Sequence, residues 1–445
     1  LSFLLDNILW GVGRPWGFHL SNVLLHALFT GLLYRLLRLR FSAAAAFWAA
    51  AIYGVHPVHA AAVAPAFGRD NILPALWLPA LAAFDHALRS RSARSAVLAC
   101  LGYSLSLLAK ESAVVFPLIA AAYSFLYFDP EQRLRSRRLL GALFAVAALY
   151  LLSRWLWMPF RVGAPLSLIA GEPLPVRLWT FLHALMSYLG LLVFPWRLHT
   201  ERHFVSGALD PLAWIGLAAV AAALYRAWTL RREHPHLLFG LLWFLIALGP
   251  VSNLVPLTMT MAEQWLYVPA LGAAWALAGL LDQYSAARRL RARAGLCAIV
   301  LLFTLRARAR AQDWKDGPTL YARDLRFAKH SFLLHTNLGV IFFREGKMPE
   351  AEREFRAALA INPNYGTALN NLGAIEGRKG DIPAAEAAYR RALEKSDYEL
   401  AYLNLAQLLL QTGRPGEGME ILRRGRAAHP YNPGIAMQLE QLERA

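Results

Sequence analysis

Long apolar runs separated by short polar clusters fill the first 312 residues of the chain. A hydrocarbon core about 30 Å thick needs roughly 20 apolar residues per crossing helix. By that measure the pattern predicts ten membrane helices, near 17–37, 42–58, 71–88, 95–109, 111–128, 138–158, 209–228, 236–254, 264–283 and 294–309. Pro57, Pro79 and Pro117 interrupt some of them, which membrane helices tolerate when neighbours satisfy the freed carbonyls. The apolar stretch 177–195 is ambiguous between crossing and lying along the surface. After Trp314 the pattern changes: apolar positions keep a helical period, but each helix now carries a charged face.

In that second part the period is about 34 residues. One copy runs 332–365 with Leu338, Gly339, Phe342, Gly346, Ala351, Phe355, Ala358 and Pro363. The next runs 366–398 with Leu372, Gly373, Gly380, Ala385, Tyr389 and Ala392. A third runs 399–433 with Leu405, Ala406, Leu409, Gly413, Leu422 and Pro430, and has Gly418 and Gly425 where alanine is expected. Small residues let paired helices approach, and large ones fill the seam. The pattern resembles the tetratricopeptide repeat, which implies a short superhelix with a concave groove for a peptide or partner. Asn337, Asn370, Asn371 and Asn404 fall on the first helices, where they could bind an extended backbone or simply be solvated. The fold class expected is therefore all-α: a polytopic membrane domain (1–312), a linker (313–331), three repeats (332–433) and a capping helix (434–445).

Composition sharpens this. Hydrophobic residues make up 57% of the chain and charged residues 17%, with mean hydropathy +0.36; a soluble domain averages about 25% charged. The net charge of +17 would suit nucleic acid if it formed a basic face on a soluble domain. Instead +16 of it falls in residues 1–312 and only +1 in 313–445, so it lies between apolar runs, where positive charge sets membrane orientation. Arg35, Arg38 and Arg40, then Arg89, Arg91 and Arg94, then Arg133, Arg135, Arg137 and Arg138 all fall on one side, which is thereby expected to be cytoplasmic. If 177–195 does not cross, Arg226, Arg231, Arg232, Arg288, Arg289, Arg291 and Arg293 join them and the repeats are extracytoplasmic. Many Arg and Ala with six Lys are in keeping with a GC-rich bacterial genome, hence a bacterial inner membrane, with the endoplasmic reticulum as the alternative. Cys100 and Cys297 lie in apolar runs without metal-ligand spacing, and no metal is expected. The chain opens on Leu1 with no signal peptide, and its natural N-terminus is expected to lie upstream.

Ionisable groups at membrane depth are costly and mark candidate sites. Four clusters fall on the expected outer face: His56-Pro57-Val58-His59, Gly68-Arg69-Asp70-Asn71, Lys110-Glu111, and Glu263 with Tyr267 after Pro250-Val251-Ser252-Asn253. A sugar donor used on that face would be a polyprenyl-phosphate sugar, whose phosphate sits in the interface. Arg69 and Lys110 suit the phosphate; Glu111 and Glu263 suit proton removal from an acceptor hydroxyl. His56, His59, Asp70 and Tyr267 would position donor or acceptor. Each has a structural alternative: a helix-end cap for His56, a plain ion pair for Arg69 and Asp70, an inter-span hydrogen bond for Glu263 and Tyr267 at i and i+4. His199, Glu201, Arg202 and His203 make a polar loop that is a weak metal candidate.

The order of these motifs, with Phe18 to His26 before them, Ala109-Lys110-Glu111, Tyr267-Val268-Pro269 and repeats after them, resembles the transmembrane-and-tetratricopeptide O-mannosyltransferase family. The resemblance implies a membrane glycosyltransferase of the C type that moves mannose or a related sugar from a polyprenyl-phosphate donor to Ser/Thr hydroxyls, with a lipid bilayer and a protein acceptor as partners. Ala61 and Gln264 depart from the family's usual acidic and basic residues. Such enzymes place a catalytic carboxylate in the first outer loop, expected here upstream of Leu1; Asp6 is the one candidate within the chain. A lipid or surface glycan as acceptor, or a non-catalytic repeat scaffold, are the competing readings.

Overall fold

The computed structural model describes residues 2–11, 15–65, 69–157, 168–200, 202–257, 259–284 and 286–444, with side chains other than those of 2–5, 69, 70, 168 and 286–291. The chain divides into two compact units. The first contains α1 (Ser2–Trp10), α2 (Pro15–Leu37), α3 (Ala43–Gly54), α4 (Ala60–Val63), α5 (Arg69–Ile72), α6 (Trp77–Ser90), α7 (Ala93–Ala109), α8 (Phe116–Tyr127), α9 (Pro130–Trp157), α10 (Leu174–Val193), α11 (Pro211–Thr229), α12 (Pro235–Leu248), α13 (Pro269–Asp282) and α14 (Ala286–Asp313). The second contains α15 (Gly317–Leu325), α16 (Phe332–Arg344), α17 (Met348–Ile361), α18 (Gly366–Lys379), α19 (Ile382–Ser396), α20 (Glu399–Gln411), α21 (Pro415–Ala428) and α22 (Pro433–Arg444). No strand occurs among the described residues.

Each of the ten expected spans coincides with a helix of the first unit, but fewer are long. Four helices, α2, α9, α10 and α11, are long and apolar enough to cross a membrane, and α3 with the bent Pro57–Val63 segment makes a fifth. The others fall short because proline or charge cuts the regular helix. Pro117 starts α8 only after the 3-10 segment Glu111–Val115, and Pro235 and Pro269 start α12 and α13. In α14 the arginines at 293 and 306 leave only twelve uncharged residues between them.

Packing in this unit uses small residues. Gly240 on α12 and Gly272 on α13 face each other so closely that a Cβ on either would sit 2.5 Å from the other's carbonyl oxygen. Where lipid is as apolar as leucine, such close backbone approach drives helix association. Long polar links add to it. Trp243 donates to the Val268 carbonyl at 3.2 Å and Tyr53 to the Tyr267 carbonyl at 3.0 Å. The ends of α3 and α12 and the start of α13 therefore share one end of the bundle.

The ambiguous stretch, α10, is tied to that end at both termini. Near the start of α10, Arg177 donates to the carbonyls of Asn253 at 2.9 Å and Leu254 at 2.8 Å, just beyond α12. At its other end, the Leu192 carbonyl meets His56 Nε2 at 3.0 Å, just beyond α3. A helix of 20 residues is about 30 Å long, so it could span, but both of its termini are tied to loops at the same end.

The second unit stacks three helix pairs, α16/α17, α18/α19 and α20/α21, with α22 closing the stack. Gly346, Gly380 and Gly413 recur at φ near +80° in the turns after α16, α18 and α20 (77°, 84° and 76°), where a left-handed residue ends each first helix. Ala351, Ala385 and Ala406 are fully buried in the seams. Gly425 has a physical reason for departing from alanine: a Cβ there would lie 2.9 Å from the Tyr402 ring. The stretch 313–331, expected to be a linker, instead carries α15, which packs on α16 with Gly317 against Ile341.

Candidate functional site

The histidine motif forms a closed polar lock. His26 on α2 donates from Nε2 to the Gly54 carbonyl at 2.8 Å, so its Nδ1 accepts from the Tyr267 hydroxyl at 2.7 Å. His56 donates from Nε2 to Leu192 and accepts the Val58 N–H on Nδ1 at 3.3 Å, capping the 3-10 turn Pro57–His59. His59 packs against the rings of Tyr53 at 4.4 Å, Tyr267 at 4.9 Å and His26 at 5.4 Å. His56 and His59 are both buried, and the cluster joins α2, α3 and the start of α13, with His59 held there by ring contacts. His26 was visible in the quoted motif but had no assigned role; its partner Tyr267 is 241 residues away.

Lys110 and Glu111 stand apart from that lock. Here α7 ends with Lys110 in an extended conformation, and the 3-10 segment Glu111–Val115 follows. Lys110 Nζ donates to Asn71 Oδ1 at 2.7 Å. Both line a small cleft of about 30 Å³, with Trp77, Ser112, Gln264 and Trp265 around it. Glu111 is exposed beside it. Arg69 and Asp70 belong to the short helix that supplies Asn71; their side chains, and Gly68, lie outside the described residues. The cleft joins an ammonium, amide and hydroxyl groups and aromatic walls, a set that suits an anionic group attached to a polar ring.

Glu263 does not face this cleft, although Gln264 does. It is fully buried; its carboxylate accepts the His199 backbone N–H and lies 3.8 Å from Arg310. Arg310 is equally buried, 3.2 Å from Asp313, with its guanidinium over Trp314 at 5.9 Å. The i, i+4 relation expected between Glu263 and Tyr267 fails because Glu263–Leu266 is a 3-10 turn, which has three residues per turn rather than 3.6. Tyr267 turns to His26 and Glu263 to Arg310. Nothing in the residue pattern distinguishes Arg310 from the other arginines of that basic helix.

Two other asparagines hold loops. Asn22 donates to the Pro65 carbonyl at 2.8 Å. Asn253, at φ 59°, takes the left-handed conformation that asparagine tolerates, and closes the loop by donating to the Thr260 carbonyl at 3.0 Å and accepting from Leu257 N–H at 3.1 Å. Asp6 is buried and accepts from Ser21 at 2.8 Å. Beside α10, Asp210 caps α11 and meets His183 at 2.6 Å; the hydrogen bond from His183 holds its carboxyl down at about 2. His199 and His203 belong to the polar loop in which Glu201 lies outside the described residues; among the described residues no three His, Cys, Asp or Glu side chains gather as a metal set.

In the repeat unit, the four asparagines fall into two roles. Asn404 donates to Asn370 Oδ1 at 2.8 Å, linking α20 to α18. Asn337 and Asn371, one repeat apart, are half-buried.

Comparison with known proteins agrees with this layout. Residues 7–157 match the family model described as dolichyl-phosphate-mannose-protein mannosyltransferase, and residues 331–397 and 378–442 match tetratricopeptide repeat models. The protein O-mannosyl-transferase Tmtc3 of Drosophila melanogaster is 25% identical over 81% of this chain and 48% of its own length. TMTC1 of Homo sapiens is 26% identical over 83% and 48%, and Tmtc2 of Drosophila melanogaster is 36% identical over 33% and 17%. The chain thus spans about half the length of the longest-matching relatives. Among solved structures, the Cut9-Hcn1 hetero-tetramer aligns at TM-score 0.31 and 18% identity over 84% of this chain and 72% of that chain, too loosely to carry an argument. This is a multi-pass membrane chain in which a region that matches the dolichyl-phosphate-mannose-protein mannosyltransferase model is followed by tetratricopeptide repeats, and it is similar over most of its length to the protein O-mannosyl-transferases.

Proposed function

We propose that the chain belongs to a membrane glycosyltransferase that moves a sugar, mannose by analogy with its relatives, from a polyprenyl-phosphate donor to Ser/Thr hydroxyls of a protein. The observation that carries this reading is the Lys110 cleft. Lys110 neutralises the donor phosphate, with Arg69 on the neighbouring turn as a second cation. Asn71, Ser112 and Gln264 offer hydrogen bonds to sugar hydroxyls, and Trp265 offers a face for the ring. The acceptor hydroxyl attacks the anomeric carbon as its proton passes to a carboxylate, for which Glu111 is the exposed candidate. The carbon–oxygen bond to phosphate breaks, and polyprenyl phosphate leaves with the electron pair, inverting the centre. Glu263 is a positioning residue: through His199 and Arg310 it holds the loop that presents Gln264. His56, His59 and Tyr267 help to position donor or acceptor by holding the same loop, and Asp70 is a further candidate for that role.

The positive charges between spans favour the cleft and the repeats on the extracytoplasmic side of a bacterial inner membrane. There the repeat groove, with Asn337 and Asn371 half-buried and Asn370 and Asn404 paired, would hold the acceptor chain. The test is transfer of labelled mannose from polyprenyl-phosphate mannose to a Ser/Thr peptide by the protein in liposomes. Glu111→Gln should lose turnover while donor binding stays intact. Unchanged turnover would remove Glu111 from the chemistry, and no transfer by the wild-type protein would favour the scaffold reading.

A further inference from the structure

A second cavity, of about 310 Å³, opens at the other end of the bundle, where α2, α8 and α13 end and α12 begins. Its size falls among small-molecule sites, ~300–1,000 Å³. Arg40, Phe41, Tyr127, Glu233, His236 and Asp282 are among its lining residues. Gly279, also in the lining, lets His236 approach α13: a Cβ there would lie 2.1 Å from the His236 ring.

Arg40 is fixed but not exhausted. Its Nε donates to the Tyr123 hydroxyl at 2.9 Å and its Nη2 to Asp85 at 2.6 Å. The guanidinium sits against the rings of Tyr123 at 5.0 Å and Tyr127 at 4.8 Å. Asp85 is shared with Arg89 at 2.9 Å, so two guanidinium charges face one carboxylate. A guanidinium has five N–H donors, and those of Nη1 have no acceptor among the described residues. The same cavity carries two carboxylates, Asp282, which accepts the Ser42 N–H at 3.0 Å, and Glu233, which is exposed.

A pre-oriented guanidinium and two carboxylates in one cavity match a group that is both anionic and an N–H donor. We infer that this cavity binds a phosphate–ammonium zwitterion of the phosphoethanolamine type, with phosphate on Arg40 and ammonium on Glu233 and Asp282. Phe41 and Tyr127 line the space for the two-carbon bridge. A simple anion would leave the carboxylates opposed to it, and a metal cation would meet Arg40. The cavity sits at the ends of membrane helices, and nearby on α11 Tyr225 and Trp228 are exposed beside Arg226, the composition of a membrane interface. The headgroup of phosphatidylethanolamine and a free phosphoethanolamine share this chemistry.

The experiment titrates the purified protein with phosphatidylethanolamine, phosphatidylcholine and soluble O-phosphoethanolamine, read by native mass spectrometry. Phosphatidylethanolamine should be held roughly ten- to hundredfold better than phosphatidylcholine, whose quaternary nitrogen cannot donate a hydrogen bond. Glu233→Lys, a change at an exposed residue, should erase that preference, and Asp282→Asn should weaken it. Binding of the soluble compound without any lipid preference, lost in Glu233→Lys, would assign the site to a free metabolite. Equal retention of both lipids with no binding of the soluble compound, or a preference untouched by Glu233→Lys, would overturn the inference.

Discussion

In the membrane unit, Arg40, Arg89, Asp85 and Tyr123 gather around one buried carboxylate, with Asp85 3% exposed. In the repeat unit, Glu386, Arg390, Arg414 and Glu417 also form a four-membered network, but their side chains are 19–52% exposed. The two clusters contain the same chemistry and do different work. Water already solvates the second set, and an exposed pair adds little after losing side-chain freedom. In the first set Arg40, Asp85 and Tyr123 have little access to water while Arg89 reaches out to it, so Arg40 and Asp85 each need the other to be tolerable where they lie. The apolar packing differs in the same sense. The repeats bury alanine seams out of water, whereas α12 and α13 rely on glycine-to-glycine approach between surfaces that would otherwise face lipid.

The largest expected effect follows from breaking the buried set. Asp85→Ala should destabilise the membrane unit by about 3–5 kcal/mol, because the buried Arg40 guanidinium and Tyr123 hydroxyl lose their carboxylate partner. Unfolding in detergent followed by tryptophan fluorescence would measure it; a change as small as that of a surface pair would erase the contrast.

Gly425→Ala comes next. The added methyl meets the Tyr402 ring at 2.9 Å, and overpacking of this kind costs about 1–3 kcal/mol, against about 1 kcal/mol gained in helix propensity. Gly377→Ala, whose Cβ would only touch Ala385 at 3.7 Å, should stabilise instead. Thermal midpoints of the two variants should move in opposite directions, and parallel shifts would refute the packing argument.

Acid should loosen both units through particular pairs. In the repeats, the hydrogen bond from His335 at 2.7 Å lowers the Glu354 carboxyl below its usual range. In the membrane unit Asp210 is held at about 2 by His183. A carboxyl whose folded value is depressed contributes stability that is complete above its unfolded value near 4 and is lost as pH falls through the folded value. Glu354→Gln and Asp210→Asn should therefore each flatten the acid limb of the stability profile below pH ~4. Identical acid limbs in variant and wild type would discard these pairs.

The smallest effect belongs to Arg414→Ala, which removes two exposed ion pairs. Its midpoint should stay close to wild type, and whatever difference exists should vanish in high salt. A shift that survives high salt would mean that the network is not a solvated surface feature.

The same contrast explains what could be read from the residues alone. The repeats were legible because a soluble helix pair needs small residues at Ala351 and Ala385 and large ones at Phe355 and Tyr389, at a fixed spacing of 34. The membrane unit was legible as a set of apolar runs, since the bilayer constrains composition more than position. It was not legible in detail. Hydropathy alone leaves open whether α10 crosses, and the contacts of Arg177 and Leu192 that tie its two termini to one end of the bundle are with residues 76 and 136 positions away. Lys110 stood out as a charge in a tight turn between apolar runs, and it lines the cleft. Glu263 stands out instead as an ionisable group opening an apolar run, with Tyr267 at i+4, but it faces Arg310, because the 3-10 turn Glu263–Leu266 leaves Gln264 and not Glu263 at the cleft. Local spacing predicted that charge mattered there and could not say to what.

The most direct test of the central claim is donor binding. Polyprenyl-phosphate mannose would be titrated against wild type and Lys110→Ala in nanodiscs, with Lys379→Ala in the repeats as control. Loss of one charge-assisted hydrogen bond to phosphate, worth about 1.5–3 kcal/mol, should weaken donor affinity roughly ten- to over a hundredfold in Lys110→Ala and leave Lys379→Ala unchanged. Equal affinity in all three proteins would contradict the assignment of the Lys110 cleft to the donor.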